Sequence, residues 1–165
     1  MFRKLKPTVK YDTIYDIDTG AMGENGIRAF FFDIDNTLEP YSTPKPGEKL
    51  SDWISGLIAS GFKVGILSNA KRARIEKFVS GFPEEFRDDV LFLCDAGKPL
   101  KKGFKKLCAA AGAKPGQAAM VGDQLFTDIL GGNRSGLTTV LVTPIDPSIE
   151  PPFVRFKRFF ERPFL

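Results

Sequence analysis

The chain has 165 residues, of which 42% are hydrophobic, and it carries a net charge of +4. This length suits one domain with a proper core, and no apolar run is long enough to span a membrane. The chain contains no histidine, which excludes Ser-His-Asp and Cys-His nucleophilic sites and His-ligated zinc. Its two cysteines are too few for a disulfide framework, and no secretory signal is recognisable, so we expect a reducing, cytoplasmic location.

Apolar patterning predicts strands that alternate with helices along most of the chain, while residues 1–26 show no clear pattern. The predicted strands lie at Ala29–Phe32, Lys63–Leu67, Val90–Leu93, residues 118–121 and Thr138–Val142. The predicted helices lie at residues 49–60, 70–79, 100–111 and 127–134. This alternation predicts an α/β fold in three layers, with a parallel sheet and right-handed crossovers.

Two aspartates follow the first predicted strand. Asp33 and Asp35 are two residues apart in an extended segment, so their side chains point the same way beyond the carboxyl end of the strand. Ligands of open α/β sheets bind at that end. Two carboxylates held close together need a cation or a shared proton, so the pair predicts a metal, acid–base chemistry or both. For the pair alone, the alternative is a turn that caps the next element.

Other polar residues follow later strands in the same way. Ser68 and Asn69 follow the second strand, Asp123 follows the fourth after Gly122, and Lys98 precedes a helix in the corresponding loop. Each has an ordinary alternative: a helix N-cap, a turn residue or a solvated lysine. Their repetition at equivalent strand ends instead predicts one site with three carboxylates, a hydroxyl, an amide and an ammonium.

In order and residue type, these clusters resemble the four motifs of the haloacid dehalogenase-like superfamily of phosphotransferases. The matching segments are residues 33–38, 67–69, 97–99 and 122–128. Four features are also similar to the small class III phosphatases of the YqeG type, which include relatives of the mitochondrial phosphatidylglycerophosphate phosphatase: the N-terminal stretch, residues 97–100, residues 122–124 and the basic aromatic tail. The resemblance implies a Rossmann-like single domain of residues 1–165, whose core covers about residues 28–142.

The resemblance also implies the chemistry of the acidic residues. Asp33 would attack phosphorus and form an aspartyl-phosphate, and Asp35 would protonate the leaving group and then deprotonate water. The expected cofactor is Mg²⁺, which suits an all-oxygen site. Its expected ligands are the carboxylates of Asp33 and Asp123 and the main-chain carbonyl of Asp35.

The remaining site residues are expected to bind phosphate or to support the metal. Ser68 and the backbone of Asn69 would hold phosphoryl oxygens, and Lys98 would offset charge on the nucleophile and the transferring group. The supporting residues are expected to be Thr37, Gly122 and Asp128.

The spacing of the motifs leaves no room for a cap domain. Residues 39–67 and 70–97 are filled by single helices, strands and loops, so no lid is expected over the site. An open site excludes water poorly around a small metabolite, but it admits a phosphate that projects from a large molecule or a bilayer.

Basic and aromatic residues interleave in the C-terminal segment, where residues 153–162 suit a short helix. On a helical wheel one side carries Phe153, Phe156 and Phe160, with Lys157 close by, and the other carries Arg155, Arg158 and Arg162. Such a segment suits an anionic membrane surface. It predicts peripheral contact with the inner face of the membrane. The open site and the resemblance to the YqeG-type phosphatases imply a lipid-linked substrate, for which phosphatidylglycerophosphate is the best guess. The alternative is that the phenylalanines pack on the domain.

The predicted function is Mg²⁺-dependent hydrolysis of a phosphate monoester. One alternative is a non-catalytic phosphate-binding or phospho-accepting regulatory module, which would not need Asp35. Another is a basic protein that associates with RNA. The chain shows no aromatic-basic β-surface motif and only a modest charge excess, so nucleic acid is not an expected partner.

Overall fold

Six parallel strands form one sheet through the centre of the molecule. The computed structural model describes residues 2–165. In chain order the strands are β1 Val9–Tyr11, β2 Ala29–Phe32, β3 Lys63–Leu67, β4 Val90–Leu93, β5 Ala118–Gly122 and β6 Thr138–Val142. Their order across the sheet is β1-β6-β5-β2-β3-β4. The predicted α/β fold with a parallel sheet is therefore confirmed.

Seven α-helices accompany the sheet within residues 2–165. They are α1 Thr19–Glu24, α2 Glu48–Ala59, α3 Arg72–Val79, α4 Glu84–Arg87, α5 Lys101–Ala110, α6 Leu130–Ser135 and α7 Pro152–Glu161. A π-helical turn, Leu125–Ile129, leads into α6. None of the described helices is long and apolar enough to cross a membrane.

The inner strand β2 divides the hydrophobic core into two layers. Phe30 and Phe32 are fully buried in one layer, with residues of α2 and α3, whereas Phe31 lies in the other layer with Phe104 and Leu107 of α5. Alternate side chains of a strand point to opposite faces of the sheet, so one apolar run fills both layers. Full burial of each phenylalanine contributes about 1.5–3 kcal/mol, so this strand anchors the sheet in both layers of the core.

The sequence pattern did not predict β1, α1 or α4, and it placed the start of one helix too late. β1 is a three-residue edge strand that pairs with β6, with Val9 opposite Val140, and it is too short and too exposed to show a period. The helix predicted at residues 127–134 begins earlier, in the π-helical turn at Leu125. A wider turn of this kind has no signature in apolar spacing, because it is defined by a main-chain hydrogen bond, here from the Ile129 N–H to the Gln124 carbonyl.

The C-terminal segment forms α7, close to the predicted range, but its orientation corrects part of the prediction. Its buried residues are Val154 and Glu161. The alternative that the phenylalanines pack on the domain is wrong, because these side chains are half or more exposed: Phe153 60%, Phe156 65%, Phe159 63% and Phe160 50%. Of the three arginines predicted to lie opposite them, Arg158 turns towards the protein interior.

Candidate active site

The predicted site residues meet at the carboxyl ends of β2, β3 and β5. Parallel pairing aligns these ends, since Phe32 of β2 lies opposite both Ile66 of β3 and Val121 of β5. A cleft of about 180 Å³ opens beyond them. Its lining includes the predicted residues Asp33, Asp35, Ser68, Asn69 and Lys98.

Lys98 lies between two buried carboxylates. Its Nζ is 3.0 Å from Oδ1 of Asp33 and 2.7 Å from Oδ1 of Asp128, and its side chain is only 2% exposed. Burial by itself lowers the pKa of Lys98, but the charges of Asp128 and Asp33 outweigh burial and raise that pKa. The alternative of a solvated lysine is therefore wrong, and Lys98 is a fixed positive charge beside Asp33.

Three carboxylates converge at the inner end of the site. One oxygen each from Asp33, Asp123 and Asp128 lie within 4.8 Å of one another. Burial, with repulsion from the neighbouring carboxylates, raises the pKa of Asp123 to about 7 and that of Asp128 to about 6. Carboxylates crowded in this way favour a bound cation. Oxygen ligands alone suit a hard divalent ion such as Mg²⁺, so the residues present fit the expected cofactor.

Thr37 and Gly122 shape this acidic cluster. The Thr37 hydroxyl donates to Oδ1 of Asp123 at 3.0 Å. A Cβ atom at position 122 would overlap the carboxylate of Asp128, so only glycine allows the strand end to approach it. Asp128 also accepts from the main-chain N–H of Gln124 at 3.2 Å, the residue directly before the π-helical turn.

Asp35 lies in the cleft but apart from the three-carboxylate cluster. Its Oδ1 accepts from Nη2 of Arg74 at 2.9 Å and from the main-chain N–H of Ser42 at 2.8 Å. The next helix, α2, has Gly47 as its N-cap, so the helix-capping alternative does not explain Asp35. The ion pair with Arg74 fixes the carboxylate at the outer edge of the site.

Ser68 and Asn69 line the cleft without capping α3. The N-cap of α3 is Lys71, whose side chain forms no capping bond, so the N-cap alternative is wrong. The Asn69 side chain instead accepts from the main-chain N–H of Lys98 at 2.8 Å and donates to the Lys98 carbonyl at 3.1 Å. Asn69 thereby holds the backbone that carries Lys98.

Sequence reasoning missed Arg158 and Glu150. The Arg158 Nε donates to both oxygens of Glu150, at 2.9 and 2.7 Å, and its Nη2 contacts the carboxylates of Glu150 and Asp123. The only signal was spacing, because Arg158 stands at i+4 from Val154 and i−3 from Glu161, on the buried face of α7. In a segment rich in arginine that spacing does not single it out.

The helix α7 also forms a wall of the cleft. Phe153, Val154 and Lys157 line it together with the residues of the strand ends. The expectation that no segment is left to cover the site therefore needs a correction: no domain is inserted between the motifs, but the C-terminal helix reaches the site. A larger cavity of about 690 Å³ adjoins Asp123 and Arg158 on the side of β1 and β6.

Comparison with known proteins relates both the sequence and the fold to phosphatases. A HAD-hydrolase-like family model matches residues 95–144. The chain is 33% identical to the probable phosphatase YqeG of Bacillus subtilis, over 92% of this chain and 84% of that protein. It is 30% identical to the chloroplastic phosphatidylglycerophosphate phosphatase 1 of Chlamydomonas reinhardtii, over 88% of this chain but only 55% of that protein.

Two solved structures share the fold at low sequence identity. An uncharacterized protein from Listeria monocytogenes superposes with a TM-score of 0.59 at 19% identity, over 76% of this chain and 85% of that one. The cobalt-bound deoxy-D-mannose-octulosonate 8-phosphate phosphatase of Haemophilus influenzae superposes with a TM-score of 0.53 at 15% identity, over 80% of this chain and 75% of that one. These likenesses establish the fold, and the YqeG relative establishes the family.

Proposed function

Since this chain belongs to the haloacid dehalogenase-like superfamily, as a phosphatase of the YqeG type, we propose that it hydrolyses phosphate monoesters through an aspartyl-phosphate on Asp33. The observation that carries this proposal is the surroundings of Asp33. Its carboxylate is buried beside the fixed charge of Lys98, next to a cluster of carboxylates that fits a divalent cation. Family membership favours an enzyme over a phosphate-sensing module.

The reaction has two steps that use the same groups. In the first, an oxygen of Asp33 bonds to phosphorus, the bond to the leaving oxygen breaks, and Asp35 gives that oxygen a proton. In the second, Asp35 takes a proton from water, the water oxygen bonds to phosphorus, and the bond to Asp33 breaks. Phosphate leaves and both aspartates return to their starting state.

The surrounding residues hold charge and geometry during both steps. Ser68 and the backbone of Asn69 hold the phosphoryl oxygens, and Lys98 offsets their negative charge. Mg²⁺ when bound would supply further positive charge against those oxygens. The residues that would hold it are Asp33, Asp123 and the main-chain carbonyl of Asp35, with Asp128 beside them.

Replacement of the nucleophile tests the proposal. We expect Asp33→Asn to lower turnover of p-nitrophenyl phosphate by a factor on the order of 10⁶, as removal of a hydrolase nucleophile does elsewhere. The wild-type enzyme should need Mg²⁺ and lose activity in excess chelator. An unchanged circular dichroism spectrum would show that the variant is folded. Substantial turnover by a folded Asp33→Asn protein would contradict the mechanism.

A lipid-linked phosphate is the substrate class that we propose for this site. The exposed phenylalanine face of α7 lies beside the cleft, and Phe153 and Lys157 belong to its lining. Basic side chains on the same helix, Arg155 among them, complement the charge of an anionic bilayer. Phosphatidylglycerophosphate is the best single candidate, and one relative carries the name of a phosphatase for it.

A substrate comparison tests this second proposal. We expect phosphatidylglycerophosphate in vesicles to be hydrolysed with a higher kcat/KM than nucleotide, sugar or phosphoprotein substrates. Preference for a soluble monoester would reject the lipid proposal while the phosphatase assignment stands.

A further inference from the structure

Arg158 brings the C-terminal helix into contact with Asp123. Its Nη2 contacts Oδ2 of Asp123, and its Nη1 donates to the Asp123 main-chain carbonyl at 3.2 Å. The arginine side chain is 17% exposed, and that of Asp123 is fully buried. A guanidinium that binds both the side chain and the backbone of one residue restricts rotation of that side chain, because the planar arrangement of its N–H groups allows few other geometries.

A second buried carboxylate fixes Arg158 in turn. Both oxygens of Glu150 share the one Nε–H of Arg158, and Oε1 also accepts from Nδ2 of Asn36 at 2.6 Å. Asn36 has a positive φ of 60° and accepts from the main-chain N–H of Asp146 at 3.0 Å. The network therefore runs from the loop after β2 through Glu150 to Arg158, and its members have little freedom to move.

We propose that Arg158 is a positioning residue for Asp123 and that α7 thereby completes the metal site of the phosphatase. This inference rests on the proposed role of Asp123 as a Mg²⁺ ligand. Thr37 donates to one oxygen of Asp123 at 3.0 Å and Arg158 contacts the other. Each carboxylate oxygen has a second lone pair, so the two donors fix the carboxylate plane and leave acceptor capacity for a cation.

If Arg158 positions Asp123, loss of the Arg158 contact should weaken Mg²⁺ binding. Groups that orient a metal ligand from outside typically contribute about 10–100-fold to metal affinity. A competing view is that Arg158 is only a counter-ion, in which case its positive charge opposes the cation and its removal tightens Mg²⁺ binding. Replacement of Arg158 alone mixes the two effects, and it leaves Glu150 buried without its cation.

A charge-matched double variant separates the orienting effect of Arg158 from the effect of its charge. Glu150→Gln with Arg158→Gln removes one negative and one positive charge, so the net charge around Asp123 is unchanged, and the glutamine at position 150 can still accept from Asn36. We expect this variant to bind Mg²⁺ about 10–100-fold more weakly than the wild type in isothermal titration calorimetry. Thermal melts in chelator would show that it is folded.

Glu161→Ala is the matched control, because it weakens the attachment of α7 at a contact other than that of Arg158. Glu161 accepts from the main-chain N–H of Phe126 at 2.9 Å, so its loss weakens the attachment of the helix without removing Arg158. We expect Glu161→Ala to increase amide exchange in α7 but to bind Mg²⁺ with wild-type affinity. Equal losses of affinity in this variant and in the double variant would overturn a specific role of Arg158.

Asp123→Ala separates failure of the inference from failure of the proposed metal site. If Asp123→Ala loses Mg²⁺ while the double variant binds it as tightly as the wild type, or more tightly, the inference is overturned and the metal site stands. If Asp123→Ala binds Mg²⁺ normally, the proposed metal site is wrong and the inference falls with it.

Discussion

At the residue scale, folding places the ammonium of Lys98 in a buried ion pair with two carboxylates instead of in water. Removing an ammonium and two carboxylates from water costs several kcal/mol per ion, which their mutual attraction offsets only when the geometry is good. Contacts of 3.0 and 2.7 Å with Asp33 and Asp128 provide that geometry. A buried ion pair is weak evidence for stability, so the arrangement is better explained by the charge that it places beside Asp33.

The proposed role of Asp35 as general acid and base gives a prediction at the same scale. We expect Asp35→Asn to retain the contacts with Arg74 and Ser42, because an amide oxygen still accepts hydrogen bonds, but to lose proton transfer. Turnover of an alkyl phosphate should fall by about 10²–10⁴-fold. An aryl phosphate should lose much less, since its leaving group needs little protonation. Parallel kinetics on the two substrates measure this difference, and equal losses would argue against Asp35 as the general acid.

At the scale of the element, α7 combines two faces with separate roles. Val154, Arg158 and Glu161 lie on the inner face, where the helix is held against the site. The outer face carries the exposed phenylalanines. A contiguous exposed apolar face next to a site marks a surface for interaction, and the flanking basic residues favour an anionic bilayer as the partner.

Substitution of the outer face tests this assignment. A variant with Phe156, Phe159 and Phe160 changed to Ser should partition into anionic vesicles at least tenfold more weakly, because insertion of a phenylalanine contributes up to about 1.5–3 kcal/mol. These three side chains do not line the cleft, so hydrolysis of soluble p-nitrophenyl phosphate should not change. Vesicle sedimentation measures the partition coefficient.

A matched control uses an exposed apolar residue on another element. Leu100 is 61% exposed and lies outside α7, so Leu100→Ser should leave vesicle binding intact. Higher salt should weaken binding of the wild type by screening its basic residues. If the triple variant keeps vesicle binding but light scattering shows the loss of a dimer, the face is instead an interface between two copies of the chain.

At the scale of the whole molecule, the buried carboxylates link stability to pH. In the metal-free protein the pKa of Asp123 is about 7 and that of Asp128 about 6, both raised mainly by burial. The ordinary value in an unfolded chain is about 4. At a pH between the unfolded and the native pKa values, Asp123 and Asp128 keep protons in the native state that they have lost in the unfolded chain. The contribution of these two groups to the free energy of unfolding therefore falls as pH rises from about 4 to about 7.

Thermal melting in chelator checks this expectation. We expect a higher Tm at pH 5.5 than at pH 7.5 without metal, and we expect Mg²⁺ to recover the loss at pH 7.5, because the cation neutralises the ionised cluster. Asp123→Asn should remove much of the pH dependence. A metal-free Tm that rises between pH 5.5 and 7.5 would contradict the raised pKa values.

The sequence by itself determined five of the six strands and most of the residues that the sheet edge brings together. Short apolar runs followed by polar residues locate strands and their carboxyl ends, because burial and strand termination are local properties. Asp33, Ser68 and Lys98 could therefore be assigned to one cleft before their distances were known. The resemblance to a family of phosphatases added the expected chemistry, and the YqeG relative bears out the family.

Only the tertiary structure decided how the two ends of the chain are used. β1 is a strand because β6 offers it hydrogen bonds, and nothing in three residues of sequence specifies that partner. Arg158 differs from Arg155 only in the face of α7 that it occupies, and that face was decided by which side of the helix packs on the domain. Contacts such as Arg158 with Asp123, 35 residues apart, depend on the closure of the whole fold, which local patterns do not encode.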